Sequence, residues 1–360
     1  MDPAHDLASA PTFSRLEHQI DRKDLYRLTR ALVDHFIASY AEPPAAIVLD
    51  IDHSDDPTYG QQEFAFYNHY YQNHCYLPLF IFEGTWHALV TASLRPGTRP
   101  PGAENAMILV RLLSYLRRHW PHTHILVRGD SHCATPEVID VIASSRWTDF
   151  VFGLAGNAVL LRQAAATLQE ARRLHHQRVA LAQAHGQAPP PSSRLYDAFT
   201  SAAKSWAQPW RGVLKAEVMS TGDNPRFVVT SLDAPTPAML YEDLYCARGH
   251  GENDIKAVKH DLHSDRTSAT TFLANAMRLL LACAAYGLHH ALRTHTLQHT
   301  ALAQAQPSTV ILTLFKIAAQ IKQYKDRILL HLPSACPVKA LLQRVTTLLW
   351  AVPDPVCNTS

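Results

Sequence analysis

Residues 46–52 read AIVLDID, an apolar, β-branched run that ends in two aspartates. A short run of this composition predicts a buried strand. The chain continues with LPLFIFEGTWHALVTASL at 77–94, which predicts an antiparallel hairpin around the EGTW turn, and with strand patterns at 124–130 and 149–155. Helical patterns lie between these strands. This order of elements predicts an α/β fold with a mixed sheet.

The segments outside this core predict further elements. A helix at 22–41 precedes the first strand and is ended by the two prolines of EPPAA. A long helix at 157–185 and a hairpin formed by GVLKAEVMS and RFVVTSL indicate a β-rich insertion at 156–235. The rest of the chain is helical, with a long apolar helix at 267–294. We therefore predict an N-terminal helical segment (1–44), a catalytic α/β domain (45–300) and a helical C-terminal segment (301–360).

The composition is that of a soluble globular protein. The chain has 360 residues, of which 47% are hydrophobic and 18% charged, and its net charge is +2. From Leu244 onward there are 12 Lys and Arg against 6 Asp and Glu, a balance of +6, so the preceding part carries 21 against 25, a balance of −4. A basic C-terminal third suits a polyanionic partner, and an acidic remainder suits metal-binding carboxylates.

The sequence shows no sign of export or of a membrane partner. Its six cysteines form no CxxC pair, which is typical of a reducing compartment. The N-terminus lacks the basic and apolar regions of a signal peptide. The most apolar run, 279–288, is shorter than the roughly 20 residues that cross a bilayer, so we expect a buried helix. These features predict a cytoplasmic protein.

Acidic residues mark the ends of two predicted strands. Asp50 and Asp52 end the first strand, and Asp130 ends the strand at 124–130. Ligand sites of open α/β sheets gather at the carboxyl ends of strands. A single acid in this position is commonly a turn former or a helix cap. Two such aspartates and a glutamate from elsewhere would supply oxygen ligands for two Mg²⁺ ions and so support in-line phosphoryl transfer.

The stretch YCARGHGENDIKAVK at 245–259 contains such a glutamate. On an ideal helix Tyr245, Arg248, Glu252, Lys256 and Lys259 fall within an arc of about 80°. One interpretation is a solvated stripe of ion pairs. The alternative is a metal-binding glutamate among cations that contact DNA phosphates. The glycines on either side of His250 favour the second, because a purely structural helix gains nothing from them.

These residues carry a family resemblance. The spacing of Tyr245, Arg248, Glu252 and Lys259 resembles the Tyr-x2-Arg-x3-Glu-x6-Lys signature of DDE transposases from bacterial insertion sequences, and the chain as a whole resembles insertion-sequence family thirteen-eighty. The similarity runs from about residue 11 to 345, through IVLDID, HILVRGDSH, NPRFVVTSL and RGHGENDIKAVKHDL. It implies a ribonuclease H-like mixed sheet with flanking helices, interrupted by the β-rich insertion.

The resemblance also implies the site and its chemistry. Asp52, Asp130 and Glu252 would form the catalytic triad and hold Mg²⁺, with Mn²⁺ as a possible substitute. Asp52 is preferred to Asp50 because His53-Ser54 matches the small residue and hydroxyl that follow the family's first aspartate. The activity would be cleavage of double-stranded DNA at the terminal inverted repeats and strand transfer into target DNA. The protein would act as a homodimer in the bacterial nucleoid.

Some positions depart from the family pattern. Asp254 stands where an arginine is usual, and Ser54 where a threonine is usual. The family's further N-terminal helical region has no counterpart before TFSRLEHQ. One alternative is therefore a truncated, inactive copy that dimerises with full-length transposase and inhibits it. Another is a junction resolvase, which the Tyr-Arg-Glu-Lys signature disfavours.

The insertion contributes one more candidate. Trp206 and Trp210 lie in SWAQPW, and in related transposases an insertion aromatic stacks on a base flipped out of the duplex. Trp210 is the residue we expect to contact DNA in this way. The alternative is that both tryptophans pack within the fold.

Overall fold

The computed structural model describes residues 9–99 and 101–350, so the outer ends of the predicted segments 1–44 and 301–360 lie outside the described residues. The helices are α1 (Ala10–Gln19), α2 (Arg22–Ala38), α3 (Gly102–His119), α4 (Pro136–Ser144), α5 (Ala158–Ala184), α6 (Phe272–His295), α7 (Pro307–Val310) and α8 (Lys339–Trp350). A continuous run of helical turns at 237–261, called the site helix below, lies between α5 and α6.

The strands confirm the predicted mixed sheet. They are β1 (Ala46–His53), β2 (Asp56–Pro57), β3 (Phe66–Asn68), β4 (Asn73–Tyr76), β5 (Leu79–Glu83), β6 (Ala88–Ser93), β7 (His124–Gly129), β8 (Thr148–Leu154), β9 (Ser192–Ser201), β10 (Trp210–Met219), β11 (Gly222–Asp223), β12 (Arg226–Thr230), β13 (Gln320–Gln323) and β14 (Ile328–His331). The central sheet has the order β11-β10-β12-β8-β7-β1-β5-β6, and β9 pairs with β10. Strands β1, β7 and β8 are parallel, whereas β5 and β12 run antiparallel to their neighbours.

Helices cover both faces of the sheet around β1. On one face Leu49 of β1 and Ile81 of β5 belong to a fully buried cluster with Leu109 and Leu116 of α3. On the other face Phe82 of β5 packs in a second cluster with residues of α6. A sheet with apolar side chains on both faces needs such a layer on each side. The carboxyl ends of β1 and β7, where the predicted aspartates lie, are held in place by these two layers.

The predicted insertion extends the central sheet. Strands β10 and β12 form the predicted antiparallel hairpin, and β12 pairs with β8. Helix α5 packs against β9 and β10 through a buried cluster that includes Leu168 and Leu214. Strand β9 was not predicted, because its alternation is interrupted by polar residues and follows a proline-rich connection. The strands of 156–235 therefore lengthen the sheet beyond β8.

The prediction of a wholly helical C-terminal segment is wrong at residues 320–331. There β13 and β14 form a two-stranded antiparallel sheet around the turn that joins Tyr324 to Arg327. Helical turns do continue from α7 through Ile311–Phe315, but the chain leaves the helical conformation at Lys316. Isoleucines on both sides of a polar turn favour a hairpin locally, and this preference prevails here.

Helix α6 is the core helix that its composition predicts. Its length and apolar composition would also allow it to cross a membrane, but 56% of its most apolar 18-residue stretch is buried inside the protein. Asn275 of this helix is completely buried. Its side-chain oxygen accepts a hydrogen bond from the backbone N–H of Ala269, and its side-chain nitrogen donates one to the carbonyl oxygen of Ala269. The apolar side chains of α6 thus face the sheet and α2.

A small second sheet stands beside the end of β1. Its order is β2-β4-β3, so β2, which closely follows β1, pairs with the hairpin of β3 and β4. Gly97 lies against this hairpin so closely that a Cβ there would collide with the carbonyl oxygens of Cys75 and Phe66. Only glycine allows this approach. The hairpin tip is consequently fixed next to the carboxyl end of β1.

Candidate active site

A cavity of about 780 Å³ opens at the carboxyl ends of β1 and β7. Asp52, Asp130 and Glu252, which the sequence predicted as a triad, all line this cavity. They come from three elements that are far apart in the sequence: β1, the residue after β7, and the site helix. The fold therefore brings the three predicted acids to one place.

Asp52 points into the cavity from the end of β1. One of its carboxylate oxygens accepts a hydrogen bond from Arg248 at 2.8 Å, and the other accepts from the backbone N–H of His53 at 2.9 Å. Burial raises the pKa of Asp52 to about 6, against the lowering effect of Arg248, and the nearby charge of Asp130 raises it further. Burial therefore favours the protonated form of Asp52 even beside Arg248.

Asp50 does not line the cavity. It forms a buried bidentate ion pair with Arg128, with oxygen-to-nitrogen distances of 2.6 and 2.7 Å. Arg128 also donates to the carbonyl oxygen of Leu244 at 2.7 Å and so ties the pair to the site helix. Of the two aspartates that end β1, only Asp52 is placed to meet a ligand.

Asp130 is held by a histidine that the sequence analysis did not single out. The backbone N–H and ring Nδ1 of His132 lie 2.9 and 2.8 Å from the two carboxylate oxygens of Asp130. Burial alone would raise the pKa of Asp130, but its hydrogen bonds and charge interaction with His132 outweigh burial and lower it. The same hydrogen bond raises the pKa of His132. A histidine two residues after a strand-end aspartate was the available signal.

The site helix is not the regular α-helix that the sequence predicted. Its turns are α-helical at Pro237–Met239, π-helical at Leu240–Tyr245, 3₁₀ at Cys246–His250, α-helical again at Gly251–Lys256 and π-helical at Ala257–Asp261. Such changes of pitch are frequent at functional sites. They alter the angular spacing of side chains, so the predicted stripe does not follow one line along the helix.

Glu252 and the three predicted cations Arg248, Lys256 and Lys259 line the cavity from this helix. Glu252 is exposed and has no hydrogen-bond or ion-pair partner among the described residues. Lys256 is also exposed, with no ion-pair partner in the described part of the chain. Arg248 is largely buried and pairs with Asp52. The glycines at 249 and 251 make no close contact, since a Cβ at either would meet nothing within 4 Å. Among the described residues, no part of the protein therefore comes close to these two glycines on the side where a Cβ would lie.

The prediction that Lys259 contacts DNA phosphates is not supported by its surroundings. Its side chain is only 9% exposed, and its ammonium group donates to the hydroxyl of Ser54 at 2.8 Å and to the backbone carbonyl of Asp55. It also lies 3.8 Å from Asp56. Because the ammonium group already has these hydrogen-bond and ion-pair partners, Lys259 connects the segment that follows β1 to the site helix.

Tyr245 and Trp210, unlike Lys259, do not line the main cavity. The ring of Tyr245 packs 5.6 Å from that of Tyr241 and lines a smaller, adjoining cavity. Trp210 packs edge-on against Phe150 at 5.2 Å, and its indole nitrogen is buried without a hydrogen-bond partner among the described residues. This corresponds to the alternative interpretation, that Trp210 packs within the fold, because no free face of its ring lines the cavity that contains the acids.

A buried arginine supports the wall behind Asp52. Arg95, which is 1% exposed, bonds to Asn105 and forms an ion pair with Glu104 at 2.5 Å. It also lies 3.4 Å from the ring of His53. Burial, and then the charge of Arg95, lowers the pKa of His53 to about 4. His53 is therefore neutral at physiological pH.

The three acids share the cavity without forming a closed cluster. Within residues 9–99 and 101–350, no group of three His, Cys, Asp or Glu side chains is arranged closely enough to hold a metal ion. The expectation of carboxylates within metal-bridging distance is therefore not met by this arrangement. In this arrangement Arg248 pairs with Asp52 at 2.8 Å and His132 pairs with Asp130 at 2.8 Å.

The fold and the site together define a class of protein: a mixed α/β sheet that gathers carboxylates and cations at the carboxyl ends of adjacent parallel strands. Comparison with known families specifies the member of that class. The family described as transposase DDE domain group 1 matches residues 1–353, and the chain belongs to this family. The family is one of transposases.

Other comparisons are more distant. Among solved structures, the chain is similar to a piggyBac transposase in a synaptic complex with hairpin DNA, with 13% identity and a TM-score of 0.39. That similarity covers 79% of this chain and 55% of the other, so the chain spans about half the length of that transposase. A search of curated proteins finds no match.

Proposed function

We propose that the protein is a metal-dependent DNA transposase of the type of insertion-sequence family thirteen-eighty. The observation that carries this proposal is the meeting of Asp52, Asp130 and Glu252 in one cavity, with the cations Arg248 and Lys256 on the same wall. The matched family supports the reaction class. We further propose that β6-β5-β1-β7-β8 is the ribonuclease H-like core that the sequence resemblance implies, and that β9–β12 form its insertion.

The carboxylates fit a divalent metal by their chemistry. Mg²⁺ prefers oxygen ligands and is held by few carboxylates together with substrate phosphates. Burial raises the pKa of Asp52 and the neighbouring charge of Asp130 raises it further, so a bound cation would favour the ionised form of this carboxylate. Asp52, Asp130 and Glu252 would hold the ion, and Mn²⁺ could replace it. When bound, such an ion activates the attacking oxygen and stabilises the charge of phosphoryl transfer.

The surrounding residues bind and orient the DNA. Lys256 is exposed to solvent and has no ion-pair partner among the described residues, so its ammonium group contacts a backbone phosphate at the cavity wall. Arg248 is paired with Asp52 when DNA is absent, and we expect it to turn to the phosphate as Asp52 takes up its ligand role. His132 orients the Asp130 carboxylate through two hydrogen bonds. Arg95 and its partners keep the wall behind Asp52 rigid, so that the acids are positioned before substrate arrives.

The proposed reaction has two steps, hydrolysis at the transposon end and strand transfer into target DNA. Water attacks a phosphorus atom at the transposon end, the bond to the 3′-oxygen breaks, and the products are a 3′-hydroxyl and a 5′-phosphate. The freed 3′-hydroxyl then attacks a phosphodiester of target DNA, so one P–O bond forms as another breaks. The partners are the terminal inverted repeats and target DNA. We propose a homodimer in the complex that pairs the two ends, within the bacterial nucleoid.

A cleavage assay tests this proposal. The substrate is a plasmid that carries this coding sequence with its native flanking DNA, incubated with protein in Mg²⁺. Wild type should cut at the flanks, and Glu252→Gln should lose cleavage by at least a hundredfold, because the change removes a ligand charge and little volume. Glu42→Gln, at an exposed acid away from the cavity, is the matched control and should cut like wild type. Equal cleavage by wild type and Glu252→Gln would reject the assignment.

A further inference from the structure

We infer that the cavity holds an unpaired nucleotide, and that the tip of the β3–β4 hairpin is an aromatic platform on which its base stacks. The inference rests on the proposed function and deepens it: the preferred substrate is DNA with a single-stranded segment beside the bond to be cut. The residues concerned are those of the tip, 67–71, which read YNHYY.

The tip places aromatic rings on the wall of the cavity that contains the acids. Tyr67, His69, Tyr70 and Tyr71 all line it. Tyr70 is 80% exposed, so most of its ring is open to a ligand, whereas Tyr67 is 46% exposed and packs edge-on against His69 and His74. The rings of Tyr70 and Tyr71 meet edge-on at 4.9 Å, which leaves a face of Tyr70 open. Exposed aromatic side chains that converge on a polar cavity indicate a planar apolar ligand.

The platform is close to the catalytic acids. Burial raises the pKa of Tyr71, and the charges of Asp55, Asp52 and Asp130 raise it further. The Tyr71 hydroxyl is therefore neutral at physiological pH. Tyr71 lines the same cavity as Asp52 and Asp130. A base stacked on the neighbouring Tyr70 would have its own phosphate between the platform and the acids, where Lys256 and Arg248 supply positive charge.

The platform is formed before any ligand binds. The side-chain oxygen of Asn68 accepts hydrogen bonds from the backbone N–H groups of Tyr70 at 3.0 Å and Tyr71 at 3.3 Å. The amide nitrogen of Asn68 donates to the carbonyl oxygen of Gly97 at 2.9 Å. These bonds fix the tip in one conformation. Because the backbone of the tip is already ordered, stacking on Tyr70 costs less conformational entropy than it would on a flexible loop, which favours binding.

The size and chemistry of the cavity favour a single strand over a duplex. A volume of about 780 Å³ lies within the range of roughly 300–1,000 Å³ that suits small ligands. In a duplex the faces of the bases are covered by their neighbours, so a tyrosine can stack only on an unpaired or terminal base. The stacking role that the sequence assigned to Trp210 therefore falls to a different segment, because Trp210 packs against Phe150.

A binding experiment without catalysis tests this inference. Fluorescence anisotropy in EDTA would compare a blunt duplex with the same duplex carrying a single-stranded 3′ overhang, and 2-aminopurine in the overhang would report stacking through quenching. Wild type should prefer the overhang. Tyr70→Ala should lose about tenfold in affinity for the overhang, the size of one stacking contact, together with the quenching. Tyr70→Phe should retain both.

The controls separate this inference from the proposed function. Tyr59→Ala removes a tyrosine that is 95% exposed and does not line the cavity, and it should bind like wild type. If the protein cuts DNA in Mg²⁺ but Tyr70→Ala binds the overhang like wild type, the platform is wrong and the function stands. If wild type binds no DNA and cuts none, both are wrong. Equal loss with Tyr59→Ala would also contradict the platform.

Discussion

Asp56 is fully buried next to the cavity, and neither of its carboxylate oxygens has a hydrogen-bond partner among the described residues. Burial raises its pKa to about 8, although Lys259 lies 3.8 Å away and opposes the shift. The folded protein therefore keeps a proton on Asp56 that the unfolded chain loses above about pH 4. Between about pH 4 and 8 the folded state binds more protons, so this residue lowers stability as pH rises.

This charge burial leads to a prediction for Asp56→Asn. The variant should be more stable than wild type at pH 8 to 9, by an amount on the order of a few kcal/mol, and the difference should shrink as pH falls toward 4. Thermal unfolding measured across this pH range checks it, with Asp140→Asn on the exposed side of α4 as the control. A difference that does not depend on pH would show that Asp56 is ionised in the folded protein.

The two lysines of the site helix should behave differently. Lys256→Ala should weaken DNA binding and reduce the slope of log K against log salt by about 1, because one phosphate contact is lost, with little change in Tm. Lys259→Ala should lower Tm, because it leaves Asp55 and the loop after β1 without their cation. Salt titrations and thermal unfolding of both variants check this. The reverse pattern would return Lys259 to the role that the sequence assigned to it.

Side-chain partners were the least predictable feature at this scale. The positions of Asp52 and Asp130 were sufficient to predict that these two residues meet, because strand ends on one edge of a sheet converge. Glu252 was assigned to the same site by the family resemblance. The partners of Lys259 and Trp210 were not predictable, because Ser54, Asp55 and Phe150 approach them only after the strands pair. A residue's chemical type shows what it can bind, whereas long-range packing decides what it does bind.

At the scale of elements, one buried ion pair connects the parts of the site. Asp50 of β1 and Arg128 of β7 form two hydrogen bonds, and Arg128 also holds the site helix at Leu244. Asp50→Asn leaves the Arg128 charge buried without a counter-charge, which should cost about 3–5 kcal/mol of unfolding free energy. Asp52→Asn should keep the fold and lose activity. Denaturant unfolding of the two variants distinguishes these roles, and an Asp50→Asn protein as stable as wild type would contradict the account.

Periodicity predicted the elements of the core and failed where propensities conflict. Apolar runs between turn residues identified β1, β5 to β8 and the helices between them, because burial on both faces leaves a strong pattern. Strands β9, β13 and β14 are polar or short and were missed. The π-helical and 3₁₀ turns of the site helix were missed for another reason. Its sequence fits an α-helix, whereas in the fold Arg128 donates a hydrogen bond to Leu244 within one of the π-helical turns.

At the scale of the whole molecule, charge and cavity point to the same partner. The balance of +6 from Leu244 onward contrasts with −4 before it, and the cavity lies where the acids of one part meet the cations of the other. A polyanion attracted by the basic part would meet metal-binding carboxylates at the same place. Neither composition nor periodicity could show that Arg248 bridges the two parts by pairing with Asp52.

The measurement that tests the central claim most directly is anomalous diffraction from crystals soaked in Mn²⁺, with and without a DNA end. We predict a peak within about 2–2.3 Å of carboxylate oxygens of Asp52 and Asp130, with Glu252 as a further ligand and Arg248 turned away from Asp52. The same crystals of Asp52→Asn should lose the peak, and those of Asp50→Asn, where they fold, should keep it. A protein that cuts DNA in Mn²⁺ but binds the ion away from these three acids would contradict the account.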